Sequence, residues 1–381
     1  MLESKLTRTG YELESVNIVQ APVSYVKHRS ECDPMVEIGG KKVYPVIVAP
    51  MGSVTDEKNY KVWLEHGFMC CVPRTVDYNT RIEISRETFA SFSLTEAEWL
   101  EEDIADGCTH FVCIDIAHGT MSWLYDVCKM LKNKFGEKLV LMTGNVAVPE
   151  AYSFYADAGI DFMRCIVGNG SRCTTRCNVG VGYPVASLID SLRMEKEKWD
   201  ESHDGKSTEI IADGGISNFD DIQKCIALGA FGIMSGNIFA RAFEASEPIV
   251  FLQPDNLNMA DAIPADAYHT KLTELKNMAE CLEGPNEYWE AYKKMAKRKP
   301  YRLYYGMSCK RAQRLTGGSG TRTAEGIERP IPIEYPIAKW AENMADYMKS
   351  CMSYTGCRTV EEMRKNTELI VNLSSDKSFR K

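Results

Sequence analysis

The chain has 381 residues, 44% of them hydrophobic and 26% charged, the balance of a globular protein with room for one large domain or two ordinary ones. Its 45 basic and 53 acidic residues leave a net charge of −8, which argues against a general nucleic-acid or membrane-surface binder. No run approaches the roughly 18–20 apolar residues of a membrane span.

Eight apolar, strand-like runs recur in chain order. They are VYPVIVAPM (43–51), GFMCCVP (67–73), the weaker ETFASFSL (87–94), HFVCIDIA (110–117), KLVLMTGNV (138–146), DFMRCIVG (161–168), EIIADGG (209–215) and FGIMSG (231–236). Runs without alternation suit strands buried on both faces of a parallel sheet. The segments between them read as helices. In MSWLYDVCKMLKNKF, Leu124, Val127, Cys128, Leu131 and Phe135 fall on one face at helical spacing. In SNFDDIQKCIALGA, Ser217 or Asn218 can cap, Asp220 and Asp221 suit the positive helix end, and Gly229 can stop the helix.

Eight strand–helix units predict an α/β fold, a single TIM (β/α)8 barrel spanning 1–381, with a doubly wound open sheet as the alternative. Residues 190–208 are dense in charge and predict an exposed excursion. Residues 245–300 form a helical insertion with helices near 265–282 and 286–297, either surface decoration or a lid or subunit contact. The N-terminal MLESKLTRTGYELESVNI lacks the apolar centre of a signal peptide. Fourteen scattered cysteines, many inside apolar runs, suit free thiols in a reducing compartment, so a cytoplasmic location is expected.

Asp115, Asn145, Cys173, Asp213 and Gly236 follow strands, where a barrel carries its active site and helix starts offer N–H groups to a phosphate. The densest stretch is GNGSRCTTRCNVGVGYP (168–184). Cys173 and Cys177 there admit three readings. They are half of a metal site whose other ligands do not follow, inert packing thiols, or one is a nucleophile reactive as thiolate.

GSRCTTRCNVGVGYP closely resembles the catalytic loop of GMP reductases, GSVCTTR followed by TGVGYPQ, and its Gly-Ser-x-Cys core is shared by IMP dehydrogenases. FVCIDIAHG (111–119), TGNV (143–146), ADGGIS (212–217), YYGMS (304–308), RTAEG (322–326) and SYTG (353–356) occur in that family's order. The resemblance implies Cys173 as nucleophile, Glu325 as acid/base partner of Thr175, and Cys177 as a packing residue. It implies nucleotide contacts from Ser171, Asp213, Gly214, Gly215, Gly236, Asn237, Gly306, Met307 and Ser308. Arg322, Thr323, Ala324 and Gly326 would close over the base from a mobile flap, residues 307–335.

By the same resemblance NADPH would meet Asp115, Val167, Gly168, Ser308 and Arg322. Its adenine end would meet Ser350, Cys351, Met352, Ser353 and Gly356 in a C-terminal extension, often across a subunit boundary. Carbonyls of Gly168, Gly170, Cys173 and Arg176 would ligate potassium, a monovalent cation. The segment from Met307 to Glu325 is short and has no Arg-Tyr pair of the kind that activates water in the dehydrogenases. The implied activity is therefore reduction of the purine nucleoside monophosphate GMP to IMP and ammonia by a homotetramer, with IMP dehydrogenation as the alternative.

Departures from the family pattern also stand out. Asn169 replaces a proline, Arg172 an aliphatic residue, Asn237 a glycine, and Gly52 an aspartate. VPRTVDY (72–78) lacks the family's His-Lys pair, with Arg74 a candidate replacement for the lysine, and Arg241 either reaches the phosphate or serves the surface.

Overall fold

A computed structural model describes residues 9–104, 107–171, 173–203, 207–282, 284–317 and 323–372. Eight parallel strands form its centre: β1 (Val46–Val48), β2 (Cys71–Val72), β3 (Phe89–Phe92), β4 (His110–Asp115), β5 (Leu139–Val146), β6 (Phe162–Cys165), β7 (Glu209–Asp213) and β8 (Gly232–Ser235). Their order, β1-β8-β7-β6-β5-β4-β3-β2, is that of a sheet rolled on itself. A parallel bridge between Val48 and Cys70, with the Val48 N–H on the Met69 carbonyl at 2.9 Å, joins its two ends. This is a TIM barrel, as expected.

Alternation along each strand divides the core in two. Ile47, Met69, Phe89, Phe111, Cys113, Met142, Phe162, Ile211 and Met234 fill the barrel interior. Val46, Val48, Val112, Ile114 and Ile210 point outward to the helices. The hairpin of Val36–Ile38 and Lys41–Val43 adds Ile38 and Val43 to the interior cluster.

The helices are α1 (Tyr60–Glu65), α2 (Tyr78–Ile84), α3 (Leu94–Asp103), α4 (Ser122–Phe135), α5 (Tyr152–Asp157), α6 (Thr175–Val179), α7 (Val185–Ser202), α8 (Phe219–Ala227) and α9 (Asn237–Ala240). On α4, Leu124, Val127, Cys128 and Leu131 are buried as their spacing predicts. Asn218 is the N-cap of α8, and Gly229 takes φ +111° just past its end. The later helices are α10 (Ala265–Glu280), α11 (Glu287–Ala296), α12 (Lys310–Leu315), α13 (Ile337–Thr355) and α14 (Val360–Asn366). Trp340 of α13 packs on Phe68 and Phe239, so this long helix closes the outer ring between β8 and β1.

Two sequence expectations change here. The charged run at 190–208 is, through Ser202, the second half of α7 rather than a separate excursion. Its charges pair along the helix, Arg193 with Asp190 and Glu197, and Lys196 with Asp200. Such i,i+3 and i,i+4 pairs support a helix whose end projects into water.

The 245–300 region does carry two helices, α10 and α11, but they ride on a sheet that sequence reading missed. Strands β9 (Val250–Leu252), β10 (Ile263–Pro264), β11 (Lys299–Tyr304) and β12 (Arg329–Pro332) pair antiparallel in the order β10-β9-β11-β12. This sheet delivers Tyr304 to Ser308 to the barrel mouth. Of the expected flap, α12 and β12 are regular structure, and residues 318–322 lie outside the described residues.

Candidate active site at the barrel mouth

Strand parity puts three charged side chains at the top of an apolar interior. Asp115 follows Phe111 and Cys113 on β4, Arg164 follows Phe162 on β6, and Asp213 follows Ile211 on β7. The Arg164 guanidinium spans the two carboxylates. Nη1 donates to Asp115 Oδ1 at 2.7 Å, while Nε and Nη2 donate to Asp213 Oδ2 at 3.0 and 2.8 Å. Arg74 Nη2 approaches Asp115 Oδ2 at 3.7 Å.

Burial opposes ionisation of Asp115, but Arg164 and Arg74 outweigh it and hold its carboxyl below the ordinary range. Arg164 is buried, which favours its neutral form, yet the adjoining carboxylates keep it firmly charged. A depressed folded value means Asp115 adds stability above its unfolded value near 4 and loses it as pH falls through the lower folded value. Urea denaturation of Asp115→Asn should therefore show a shallower loss of stability below about pH 4 than the parent protein shows.

Asn145 links this triad to the next loop. Its Nδ2 donates to Asp213 Oδ2 at 2.9 Å and to the Ile166 carbonyl at 3.0 Å. Ile166, the first residue after β6, has φ +85°, a strained conformation for a β-branched side chain. There the chain turns out of the barrel into the cysteine loop.

In that loop the Cys173 N–H donates to the Gly170 carbonyl at 2.9 Å, and the Thr174 N–H to the Glu325 carbonyl at 2.8 Å. Cys173 also pairs antiparallel with Gly326 in an isolated bridge. The Cys173 thiol donates to Thr175 Oγ1 at 3.2 Å, and the Thr175 hydroxyl donates to Glu325 Oε2 at 2.5 Å. Sulfur, hydroxyl and carboxylate thus form one hydrogen-bonded chain.

Gly168, at φ +85°, lies so close to Arg176 that a Cβ would sit 2.7 Å from Arg176 Cβ. Gly168→Ala should displace the loop, seen as faster hydrogen exchange of the loop amides than in the parent protein.

A cavity of about 280 Å³ lies at this mouth. Of the expected residues, Asp115, Gly170, Ser171, Cys173, Asp213, Gly214, Gly215, Gly236, Asn237, Gly306, Met307 and Ser308 line it. A Cβ on Gly236 would meet Met51 Sδ at 2.2 Å and the Tyr304 hydroxyl at 2.7 Å, so a larger residue there would have to displace both side chains. Thr175, Glu325 and Gly326 adjoin the lining through the bonds above. Val167 and Gly168 start the cysteine loop, Arg176 follows Thr175 in it, and Thr323 and Ala324 lead into Glu325. Arg172 and Arg322 lie outside the described residues.

Other expected residues sit elsewhere. Ser350 and Cys351 line a separate groove of about 980 Å³ beside Asn218, Phe219 and Tyr347. Met352 is fully buried in α13, and Ser353 and Gly356 end that helix. Arg241 binds Glu334 at 2.6 Å and is not part of the cavity lining. Cys177 is exposed on α6, outside the lining.

The remaining thiols separate by burial. Cys70 and Cys351 are pushed up to about 12 by loss of solvent, and Cys128, Cys165 and Cys225 also rise. Cys173 is the half-buried thiol in the cavity. Among the described residues no group of three or more His, Cys, Asp or Glu side chains is placed to hold a metal ion, and no helix is long and apolar enough to cross a membrane.

Sequence reading did not single out Arg164 or Tyr304. A lone arginine inside the buried run DFMRCIVG was the available signal, because a charge on a barrel's inner face demands partners. Ser217, which also lines the cavity, was read only as a helix cap.

Fold and site together define a (β/α)8 barrel with a half-buried thiol in the cavity at its C-terminal rim. Residues 93–378 match the IMP dehydrogenase / GMP reductase domain. The chain is 32% identical to an inosine-5'-monophosphate dehydrogenase of Chlorobaculum parvum over 260 residues, 68% of this chain and 44% of that protein. It is 27% identical to a GMP reductase of Lactobacillus delbrueckii subsp. bulgaricus over 360 residues, 91% of this chain and 90% of the relative. A GMP reductase of Bacillus subtilis is 32% identical over 241 residues, covering 60% of this chain and 71% of the relative. The chain thus spans less than half the length of the dehydrogenase it matches. It belongs to the IMP dehydrogenase/GMP reductase family of oxidoreductases.

Proposed function

We propose that the protein is a GMP reductase, converting GMP and NADPH to IMP, ammonia and NADP through a purine bound covalently to Cys173. The observation that carries this reading is the Cys173–Thr175–Glu325 path, with sulfur inside the cavity and the carboxylate at its edge. The alignment over 90% of a reductase's length, and the missing Arg-Tyr pair, favour the reductase over the dehydrogenase.

GMP enters with its phosphate against Ser171, the Gly214–Gly215 turn and the Gly236–Asn237 start of α9. Asp213 Oδ2 is occupied by Arg164 and Asn145, which leaves its other oxygen to accept from the ribose hydroxyls. Gly306, Met307 and Ser308 border the base.

Thr175 and Glu325 take the thiol proton, and the thiolate adds to purine C2. The same two groups return a proton to the C2 amine, so it leaves as ammonia instead of a strongly basic anion. That leaves the purine joined to sulfur. Bound NADPH would supply a hydride to C2, and cleavage of the C2–S bond would then release IMP and regenerate the thiolate.

The residues present fit the nicotinamide end of the cofactor. Asp115 and Ser308 line the cavity beside Cys173, and Val167 and Gly168 begin the adjacent loop. Ser350 and Cys351 lie in a different groove of the same chain, so the adenine end would use that groove on a neighbouring subunit of a homotetramer. Potassium would be held by the carbonyls of Gly168, Gly170, Cys173 and Arg176, which share the cysteine loop. The Gly170 carbonyl accepts one N–H and keeps a second lone pair. The scattered free thiols support a cytoplasmic protein, and the net charge of −8 disfavours nucleic acid or a membrane surface as partner.

Absorbance at 340 nm tests the assignment. GMP-dependent loss of NADPH is expected. IMP-dependent gain of NADH without GMP-dependent loss would overturn it in favour of the dehydrogenase.

A further inference from the structure

A carboxylate from ahead of the barrel reaches into the cysteine loop. Glu12 lies in the arm that precedes the first strand, and its two oxygens hold two different parts of the chain. Oε1 accepts from Arg176 Nη1 at 2.7 Å, and Oε2 accepts from the Val185 N–H, at the start of α7, at 2.9 Å. Asn169 Nδ2 approaches Oε2 at 3.5 Å, and Asn169 Oδ1 accepts from Arg176 Nη1 at 3.1 Å. The arm itself is anchored, because the Tyr11 N–H donates to Ser187 Oγ at 2.8 Å and its carbonyl accepts the Ser187 N–H at 3.2 Å.

The Arg176 side chain runs between two glycines on its way to Glu12. A Cβ at Gly168 would meet Arg176 Cβ at 2.7 Å, and one at Gly182 would meet its Cδ at 3.2 Å. Arg176 directly follows Thr175, and Asn169 lines the cavity. The loop from 168 to 185 is therefore wrapped around one arginine whose far end is fixed by Glu12.

We propose that Glu12 is a positioning residue, whose carboxylate clasps Arg176 and the start of α7 and so holds Cys173 and Thr175 in line with Glu325. The proposal rests on Cys173 being the reacting thiol. A half-exposed ion pair contributes little alone. Here both oxygens are used and the partners lie 9 residues apart in sequence at positions 176 and 185, so losing the carboxylate frees the whole loop. The proposed phosphate and ribose contacts, Ser171 apart, lie at the ends of β7 and β8, outside the clasp, so nucleotide affinity should change little.

The test compares the parent protein with Glu12→Ala and Glu12→Gln. Each is labelled with 6-chloropurine ribonucleoside monophosphate, and the rate of Cys173 modification is followed by peptide mass spectrometry. Glu12→Ala should be labelled roughly 10-fold more slowly at saturation, with the half-saturating concentration within about twofold of the parent. Glu12→Gln, which keeps one acceptor oxygen, should fall between. Equal rates, or a change in half-saturation alone, would overturn the clasp.

Hydrogen exchange of the same variants gives a readout that needs no nucleotide. Faster exchange in Glu12→Ala confined to residues 168–183 supports the proposal, while unchanged exchange there, or acceleration across the barrel strands, refutes it. If the parent protein is not labelled at Cys173, the covalent chemistry fails, and exchange still decides the role of Glu12.

Discussion

Cys173→Ala should lower GMP-dependent NADPH oxidation by at least about 10⁴-fold, while Cys177→Ala keeps most of it. The two thiols are four positions apart in one loop, yet only Cys173 lines the cavity and donates to Thr175. Cys177 points outward from a short helix and has no path to Glu325. The buried thiols Cys70, Cys128, Cys165 and Cys225 cannot substitute, since burial raises each of them away from the thiolate range. Because Cys173 is only half-buried, its truncation should leave Tm nearly unchanged, so lost turnover would report chemistry and not unfolding. Steady-state rates at 340 nm with thermal melts of both variants check this.

The second large effect belongs to Glu325. Glu325→Gln keeps the shape and the hydrogen bond from Thr175 but can no longer take up a proton, so turnover should fall about 10²–10⁴-fold. Thr175→Val should act similarly by cutting the path at its middle. Since both groups serve one transfer, the double variant should be little slower than the slower single variant. Nucleotide affinity, measured by calorimetry, should stay within a few-fold for all three. Turnover within about threefold of the parent in Glu325→Gln would remove the carboxylate from the proton path.

The barrel was legible because each of its strands lies in a largely apolar run without alternation, and burial on both faces leaves little room for other patterns. Even ETFASFSL, the least apolar of them, supplies β3, where Ala90 and Phe92 face the helices and Phe89 the interior. The antiparallel sheet was not legible. Its strands are short, β10 has two residues, and Pro264, Pro300, Pro330 and Pro332 interrupt the usual strand signal. The α7 helix was misjudged because charge density masked its period, although Leu188, Ile189 and Leu192 mark the buried face.

The site divides in the same way. Cys173, Thr175 and Glu325 are far apart or adjacent in sequence with no pattern that links Glu325 to the others, and a resemblance identified them. Arg164 and Asn145 are different, since they act on other protein groups and hold Asp115, Asp213 and Ile166 in place. Residues that serve by contact leave a weaker trace in sequence than residues grouped in a glycine-rich loop. Glu12 is the extreme case, a carboxylate 161 positions from Cys173 by numbering, joined to its loop only in the folded chain.

The central claim is a transient bond between one sulfur and a purine carbon, and intact-protein and peptide mass spectrometry after treatment with 6-chloropurine ribonucleoside monophosphate tests it most directly. A single adduct on the peptide containing Cys173, blocked by excess GMP, is the result expected. An adduct on another cysteine, or none under conditions where the nucleotide binds, would contradict it.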